Sequence, residues 1–234
     1  MTTATSQQSI GRKVVVACRV MEPELERVHQ RDNLIEIRYI DQGLHRTPKN
    51  MAVLVQEQID RAAKYADQIV LGYGLCSNGI VGVTAREQGL IVPRCHDCIA
   101  FFLGSPAAYK KVFEERSGTY YLTPGWVAER KDPLGIVEND YEPRYGRDTA
   151  IWVMEEELKH YTHIALIDTG VGDLNPLRQR ALENARVFKK EYQEIQGSLE
   201  YFNKIIQSHY PADHFFNLKP GERVTLEMYL EDQI

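Results

Sequence analysis

The sequence predicts an α/β protein with a mostly parallel open sheet, helices on both faces and a Rossmann-like three-layer architecture. The segment Lys13–Val20 is a continuous β-branched run, which is typical of a strand buried on both faces of a parallel sheet. Short apolar runs of this kind alternate with longer segments whose apolar residues recur at helical spacing. Glycine-rich turns at 72–79 and 168–173 follow two of the apolar runs and allow the backbone to approach a ligand closely.

Each element has its own local signal. Lys13–Val20 is the first strand, and Pro23 in a first turn predicts a helix that starts at Glu22. Thr47 and Pro48 open a long amphipathic helix that runs to about Ala66. The remaining predicted strands are Leu34–Ile40, Ile69–Leu71, Leu90–Pro93, Thr119–Leu122, Ile164–Ile167, His214–Leu218 and Val224–Tyr229. The remaining predicted helices are Ser105–Arg116, Asp148–Tyr161, Leu177–Glu194 and Leu199–Ile206, and the charged segment Ala128–Asp148 is either a surface excursion or a lid.

The domain organisation that we predict is simple. Residues 1–12 read as a frayed tail, and residues 13–234 form a single α/β domain. The stretch at 64–74 resembles the stretch at 159–170, since both read as a helix end, a strand and a glycine loop. Shared α/β organisation is the preferred explanation, and a duplication into two similar halves, 13–117 and 118–234, stays open.

The composition excludes several classes of function. A formal net charge of -5 and a pI near 5.8 provide no basic surface for nucleic acid. No apolar run approaches the roughly 20 residues of a membrane-spanning helix, and the polar start of the chain lacks the features of a signal peptide. We therefore expect a cytoplasmic protein with neither nucleic-acid nor membrane partners, and the sequence is compatible with a homo-oligomer.

The four cysteines carry the main functional prediction. In a reducing compartment, thiols serve metals or catalysis more often than disulfides. Cys18 ends the first predicted strand, Cys76 follows the third, and Cys95, His96 and Cys98 follow the fourth. Because parallel strands place their carboxyl ends at one edge, these side chains should meet there. The C-x-x-C spacing lets Cys95 and Cys98 reach one ion from a single turn, so we predict a zinc site.

Three other interpretations of the cysteines stay open. Cys18 and Cys76 could be small buried apolar residues, since cysteine is often buried. The C-x-x-C pair could be a redox dithiol at a helix start. Three cysteines from separate loops could also hold a [4Fe–4S] cluster with one iron open to substrate. The neighbouring His96 favours zinc.

Several neighbours of the cysteines are candidates for catalysis or binding. Arg94 could bind a substrate carboxylate, and Asp97 could orient an imidazole that ligates the ion. Glu24 lies shortly after Cys18, but solvated surface charge explains a glutamate there equally well. The loop that carries Cys76 supplies candidate cofactor contacts, and further aromatic and polar residues share the predicted rim: Gly72, Gly74 and Asn78 for the cofactor, and Tyr73, Trp126 and Asp168 at the rim.

The sequence resembles a bacterial and archaeal family of unknown function, DUF1638. The resemblance spans roughly Lys13 to Asp173 and is carried by short motifs at 16–20, 72–79, 93–99, 103–105 and 118–126. It implies the family's fold and the same site, but no reaction. The family pattern includes Cys18, Glu24, Cys76, His96, Asp97 and Cys98, and it does not include Cys95.

These observations favour a metal-thiolate enzyme, a transferase that holds a substrate thiol at zinc for methyl or alkyl transfer. Its substrate would be a small molecule that carries a thiol or a carboxylate. A [4Fe–4S] enzyme and a non-catalytic metal carrier or cofactor-assembly protein are the alternatives. Three geometric predictions follow: the sulfurs of Cys18, Cys76 and Cys98 converge, their strands are parallel neighbours, and His96 faces the cysteines. His96 would either ligate the ion or line the substrate pocket as a catalytic acid/base.

Overall fold

The computed structural model describes residues 11–29, 33–41 and 48–230. Most of the predicted tail, and the predicted helix-opening residue Thr47, lie outside the described residues. The α/β fold with mostly parallel strands and surrounding helices is confirmed. The described strands are β1 (Lys13–Cys18), β2 (Ile35–Ile40), β3 (Gln68–Gly72), β4 (Leu90–Pro93), β5 (Thr119–Leu122), β6 (His163–Asp168), β7 (Glu191–Gln196) and β8 (Phe215–Leu218). The described α-helices are α1 (Glu22–His29), α2 (Pro48–Ala62), α3 (Ile99–Phe102), α4 (Pro106–Glu115), α5 (Pro124–Ala128), α6 (Pro133–Ile136), α7 (Glu142–Tyr145), α8 (Arg147–Glu157), α9 (Leu174–Val187), α10 (Glu200–Ile206) and α11 (Glu227–Leu230).

The larger sheet has the strand order β2-β1-β3-β4-β8. Its first four strands are parallel, and β8 pairs antiparallel with β4 at the edge. Val14, Val15 and Val16 of β1 are all fully buried, as expected for a central strand covered on both faces. Lys13 is also buried, and its ammonium group donates to the carbonyl oxygens of residues 206 and 207 at 2.6 Å each, at the end of α10.

The smaller sheet has the order β5-β6-β7, and its strands are all parallel. The single open sheet that the sequence suggests is therefore divided into two. Strand β8 comes from the last part of the chain but joins the larger sheet, so the two sheets do not coincide with segments 13–117 and 118–234.

The loops at the carboxyl ends of the two sheets contact each other. The Thr169 hydroxyl, after β6, donates to Glu24 Oε1 at 2.8 Å, and the Ser198 amide, after β7, donates to the Phe102 carbonyl oxygen at 2.8 Å. Gly125 packs so tightly on Val20 that an added Cβ would lie 1.8 Å from the Val20 carbonyl oxygen. Ligand sites in α/β proteins form at such edges.

The charged segment after residue 128 folds as a layer of short helices. Leu134, Val137 and Met154 are buried in a second core cluster with Phe188, which lies just after α9. Asp132 caps α6 and accepts hydrogen bonds from Arg180 Nε at 2.8 Å and Asn184 Nδ2 at 2.7 Å, both on α9. Of the two predictions for this segment, its packing agrees with the excursion across the surface.

Two predicted elements are wrong in type. The helix expected to run to Glu194 ends at Val187, and β7 begins at Glu191. Among the described strands β7 pairs with β6 alone, and its polar side chains resemble a helix surface, which explains the wrong prediction. The last predicted strand, Val224–Tyr229, is an irregular stretch followed by helix α11, which begins at Glu227. In the described part of the chain, no helix has the length and apolar character to cross a membrane.

Candidate functional site

The cysteine loops follow three adjacent strands of the larger sheet. Cys18 is the last residue of β1, Cys76 lies in the loop after β3, and Cys95 and Cys98 lie in the loop after β4. Strands β1 and β3 are parallel neighbours, as are β3 and β4. The predicted parallel arrangement is confirmed, and it brings the cysteine loops to one edge of the sheet.

The loops after β3 and β4 are joined by backbone hydrogen bonds. The Leu75 amide donates to the Cys95 carbonyl oxygen at 2.8 Å, and the Cys76 amide donates to the His96 carbonyl oxygen at 3.1 Å. Gly74 permits this contact, because an added Cβ would lie 3.0 Å from the Cys95 carbonyl oxygen. Gly74 therefore serves the close approach of the two loops.

Cys76 lies in a strained turn. Cys76, Ser77 and Asn78 have φ angles of 48°, 55° and 66°, so three consecutive non-glycine residues occupy the left-handed region. Each such residue costs about 1–3 kcal/mol, and strain of this kind tends to occur at functional sites. The turn fixes the position of the Cys76 thiol against the loop that follows β4.

Three buried thiols lie together at this edge. The thiols of Cys76 and Cys98 are hydrogen-bonded to each other, and Cys18 lies close enough to both to interact with them electrostatically. Burial raises the pKa of Cys18 to about 12, and the contact with Cys76 together with burial holds the pKa of Cys98 well above its usual range. Without an added positive charge the thiols of Cys18 and Cys98 are therefore neutral at neutral pH. Every described cysteine is free of a disulfide.

The chemistry of the three sulfurs suits a soft metal ion, although their arrangement is not that of a finished ligand set. Among residues 11–29, 33–41 and 48–230, no three Cys, His, Asp or Glu side chains are arranged to hold an ion. The predicted convergence of the three sulfurs on one ion therefore stays a prediction, supported by their proximity.

A cavity of about 290 Å³ adjoins the thiols. Its lining includes Cys76, Asp97 and Cys98 from the cysteine loops, together with residues of α4, β5 and α5. Nearly half of the lining residues are aromatic: Tyr109, Phe113, Tyr120, Tyr121, Trp126 and Tyr161.

Comparison with known proteins assigns the family. A family model described as a protein of unknown function (DUF1638) matches residues 39–206. The chain belongs to this family. No curated protein and no solved structure matches the sequence significantly. The matched region includes Cys76, Asp97 and Cys98 and begins after Cys18 and Glu24.

In this DUF1638 chain, the two residues between Cys95 and Cys98 have side chains in different environments. The His96 side chain is exposed, and its ring is 5.7 Å from the Tyr229 ring in an edge-on contact. His96 does not line the cavity beside the thiols. The structure thus places its ring on the surface rather than facing the cysteines as predicted. Asp97 does line the cavity, and its Oδ1 accepts a hydrogen bond from the Ile99 amide at 2.8 Å.

Arg94 and Cys95 contact the C-terminal part of the DUF1638 chain. Arg94 Nη1 donates to the Ala212 carbonyl oxygen at 2.9 Å, and the guanidinium lies 4.3 Å from the centroid of the Phe216 ring. Cys95 is fully buried and hydrogen-bonded to Tyr201. Neither lines the cavity. The pair of thiols in contact is Cys76 and Cys98, from two loops, rather than the C-x-x-C pair.

Glu24 is fully buried at the contact between the two sheets. Its Oε1 accepts from Thr169, and its Oε2 is buried without a hydrogen-bond partner among the described residues. Burial raises the pKa of Glu24 to about 7, while the Thr169 hydrogen bond opposes that rise. Glu24 is thus a buried acid that changes charge near neutral pH.

The remaining predicted site residues have structural explanations. Gly72 packs against β1, since an added Cβ would lie 2.7 Å from the Ala17 Cβ. Asn78 belongs to the left-handed turn. No role was predicted for Tyr109 of α4 or for Tyr120 and Tyr121 of β5. The motif at 118–126, which carries part of the family resemblance, was the signal that marked β5 and Trp126.

Proposed function

We propose that the protein is an enzyme in which Cys18, Cys76 and Cys98 hold a zinc ion, and that a substrate thiol is held there as a thiolate for methyl or alkyl transfer. One observation carries the proposal: three buried thiols from adjacent strand ends lie together beside a cavity large enough for a small molecule. A zinc ion supplies the positive charge that keeps thiols ionised at neutral pH.

The burial of the thiols favours an enzyme over a metal carrier. Cys18, Cys76 and Cys98 are 1%, 7% and 3% exposed, whereas a carrier needs ligands that a partner can reach. The direct contact between the Cys76 and Cys98 thiols favours one ion over a [4Fe–4S] cluster, since a cluster holds its cysteines apart on separate iron atoms. The same contact is also compatible with a redox dithiol, so the test must also determine the oxidation state of Cys76 and Cys98.

The protein's own residues would position the reaction. The left-handed turn holds Cys76, and the backbone hydrogen bonds from Leu75 and Cys76 hold the loop of Cys98 against it. The aromatic wall of the cavity would exclude water from the sulfur, which strengthens electrostatic interactions there. We also propose a reducing, cytoplasmic location, consistent with free thiols, and the homo-oligomer stays a prediction.

The test is anaerobic purification from zinc- and iron-supplemented cells, followed by elemental analysis. We expect about one zinc per chain, and loss of most of it in Cys18→Ser, Cys76→Ser and Cys98→Ser. Cys95→Ser is the matched control, because it removes a buried thiol outside the cavity and leaves a hydroxyl that can still bond to Tyr201. Thermal unfolding of each variant separates loss of metal from loss of fold.

Four outcomes would contradict the zinc proposal. Brown protein with iron and sulfide would favour the cluster, and a Cys76–Cys98 disulfide that cycles with thiol reductants would favour the redox dithiol. Zinc that mild chelators remove within minutes, with the fold intact, would favour the carrier. Stoichiometric zinc that Cys95→Ser loses and Cys98→Ser keeps would place the ion elsewhere.

A further inference from the structure

The cavity beside the thiols has an unusual combination of charge and lining. Asp97 is the only charged side chain among the described residues that line it, and no Lys, Arg or His joins it there. Among the described residues, the lining therefore has no cationic side chain that would form an ion pair with a carboxylate or phosphate. Arg94, the sequence-based candidate for a carboxylate, is engaged with Ala212 and Phe216.

The aromatic residues form two edge-to-face pairs in the cavity wall. The Tyr109 and Tyr121 rings have centroids 6.2 Å apart and planes inclined at 69°, and the Tyr120 and Tyr161 rings have centroids 5.5 Å apart and planes inclined at 64°. Trp126 lines the same cavity. Rings set at steep angles around one space, with π faces that carry negative potential, are the means by which proteins bind methylated ammonium groups.

Asp97 lies within electrostatic reach of these rings. Burial chiefly raises the pKa of Tyr109, and the negative charge of Asp97 adds to that rise. Burial and Asp97 act in the same direction on the pKa of Tyr121. A carboxylate and several aromatic rings therefore act together on the space beside the Cys76 and Cys98 thiols.

We propose that the cavity binds a small methylated onium cation, a quaternary ammonium or a sulfonium, held by the tyrosines and Trp126 and paired with Asp97. The proposal rests on the proposed function, for which it names the methyl donor. A substrate thiolate would attack the methyl carbon, forming a carbon–sulfur bond while the bond from that carbon to the onium nitrogen or sulfur breaks. The bonding electron pair leaves with the neutral amine or sulfide, so the charges cancel and no oxidant is needed.

Binding can be measured without any turnover. The chain has two tryptophans, Trp126 in the cavity and Trp152 on the surface at 60% exposure. In a Trp152→Phe background, the fluorescence of Trp126 therefore reports on the cavity alone. The probes are choline, trimethylsulfonium and 3,3-dimethyl-1-butanol, an uncharged analogue of choline in which carbon replaces nitrogen.

We expect saturable fluorescence changes with choline or trimethylsulfonium, and at least about tenfold weaker binding of the uncharged analogue. The better of the two cations identifies the onium class. Asp97→Asn keeps an oxygen that can accept from the Ile99 amide, so it should fold normally and bind the cation about tenfold more weakly. Tyr109→Phe should bind like the parent protein, and Tyr109→Leu should bind weakly.

Tyr65→Leu is the control for loss of a tyrosine ring, since Tyr65 lies under Arg12 outside the cavity. Equal binding of choline and the uncharged analogue, absence of saturable binding by either cation, or unchanged affinity in Asp97→Asn would overturn the proposal. The same titration with Cys18→Ser separates the two proposals, because Cys18 is a proposed zinc ligand that does not line the cavity. If the parent protein contains no zinc but still binds the cation, only the zinc proposal is contradicted.

Discussion

The burial of Glu24 determines the pKa of its carboxyl group and, through it, the pH dependence of stability. It is fully buried, and one of its two oxygens has no hydrogen-bond partner among the described residues. Burial disfavours the charged form, so the pKa of Glu24 rises to about 7 from an ordinary value of 4.5. The folded protein therefore holds a proton that the unfolded chain releases between these two values.

The stability of the protein should consequently fall as pH rises from about 4.5 to about 7. Below that window Glu24 is protonated in both states, and above it the folded state must bury a charge. The loss attributable to Glu24 is at most about 3 kcal/mol. Glu24→Gln keeps the acceptor for Thr169 and removes the titration, so urea unfolding at a series of pH values should show a smaller decrease for this variant.

Glu155→Gln on the exposed surface of α8 is the control, and it should leave the pH dependence of stability unchanged. If Glu24→Gln and the parent protein lose stability in parallel between pH 5 and pH 8, burial does not raise the pKa of Glu24.

Sequence reasoning located the thiols but not the pair in contact. The C-x-x-C spacing pointed to Cys95 and Cys98, yet Cys95 turns into the core against Tyr201, and Cys98 meets Cys76. The contact between Cys76 and Cys98 was not predicted because it involves the left-handed turn at Cys76. The residues of this turn, Cys-Ser-Asn, include no glycine that would indicate a positive φ. Position relative to the strands could be predicted, whereas side-chain direction within the loops could not.

At the scale of elements, β1, β3 and β4 of the larger sheet were predictable because each is an apolar run that contains Val or Ile. Edge strand β7 was not, since it has one neighbour and polar side chains. The contact of α5 with the turn after β1 is a further feature with no sequence signal. There, Gly125 lies against the Val20 carbonyl oxygen.

Gly125→Ala should destabilise the protein by about 2–3 kcal/mol or more, because the new methyl group would meet backbone rather than a flexible side chain. The matched control is Gly172→Ala, where φ is 81° and an added Cβ has open space. That control carries only the backbone cost of about 1 kcal/mol. Chemical denaturation of both variants gives the comparison, and equal losses would show that α5 can move away from the turn at little cost.

At the scale of the whole molecule, the division into two sheets was not predictable from local pattern. The sheets meet through contacts between residues far apart in sequence, such as Glu24 with Thr169 and Phe102 with Ser198. Each contact is a single hydrogen bond from a loop, and loops carry little periodic signal. The candidate cavity depends on this contact between the two sheets, because its lining includes residues from the loops of the larger sheet and residues of β5 in the smaller sheet. The role of the tyrosines in the cavity wall could therefore not be predicted from the sequence, whereas the positions of Trp126 and the thiols could.

A polar cluster joins the helical layer of residues 129–158 to α9, in addition to the second core cluster. We expect the stability of this layer to be separable from that of the site. Asp132 is 1% exposed and accepts from Arg180 and Asn184, and Arg180 also bonds to Glu138. Asp132→Ala would leave a partly buried guanidinium and a buried amide without their shared acceptor, at a cost of about 3 kcal/mol.

We expect that cost to appear as local opening of the layer. Hydrogen–deuterium exchange of Asp132→Ala should be faster in α6, α8 and α9, while the buried amides of β1 and β3 exchange as in the parent protein. Arg178→Ala is the control, since it removes a different arginine of α9 that is ion-paired with Glu194 on the exposed side. Uniform acceleration across both sheets would instead mean that the layer and the larger sheet unfold as one unit, in which case the thiol site could not be probed independently of this cluster.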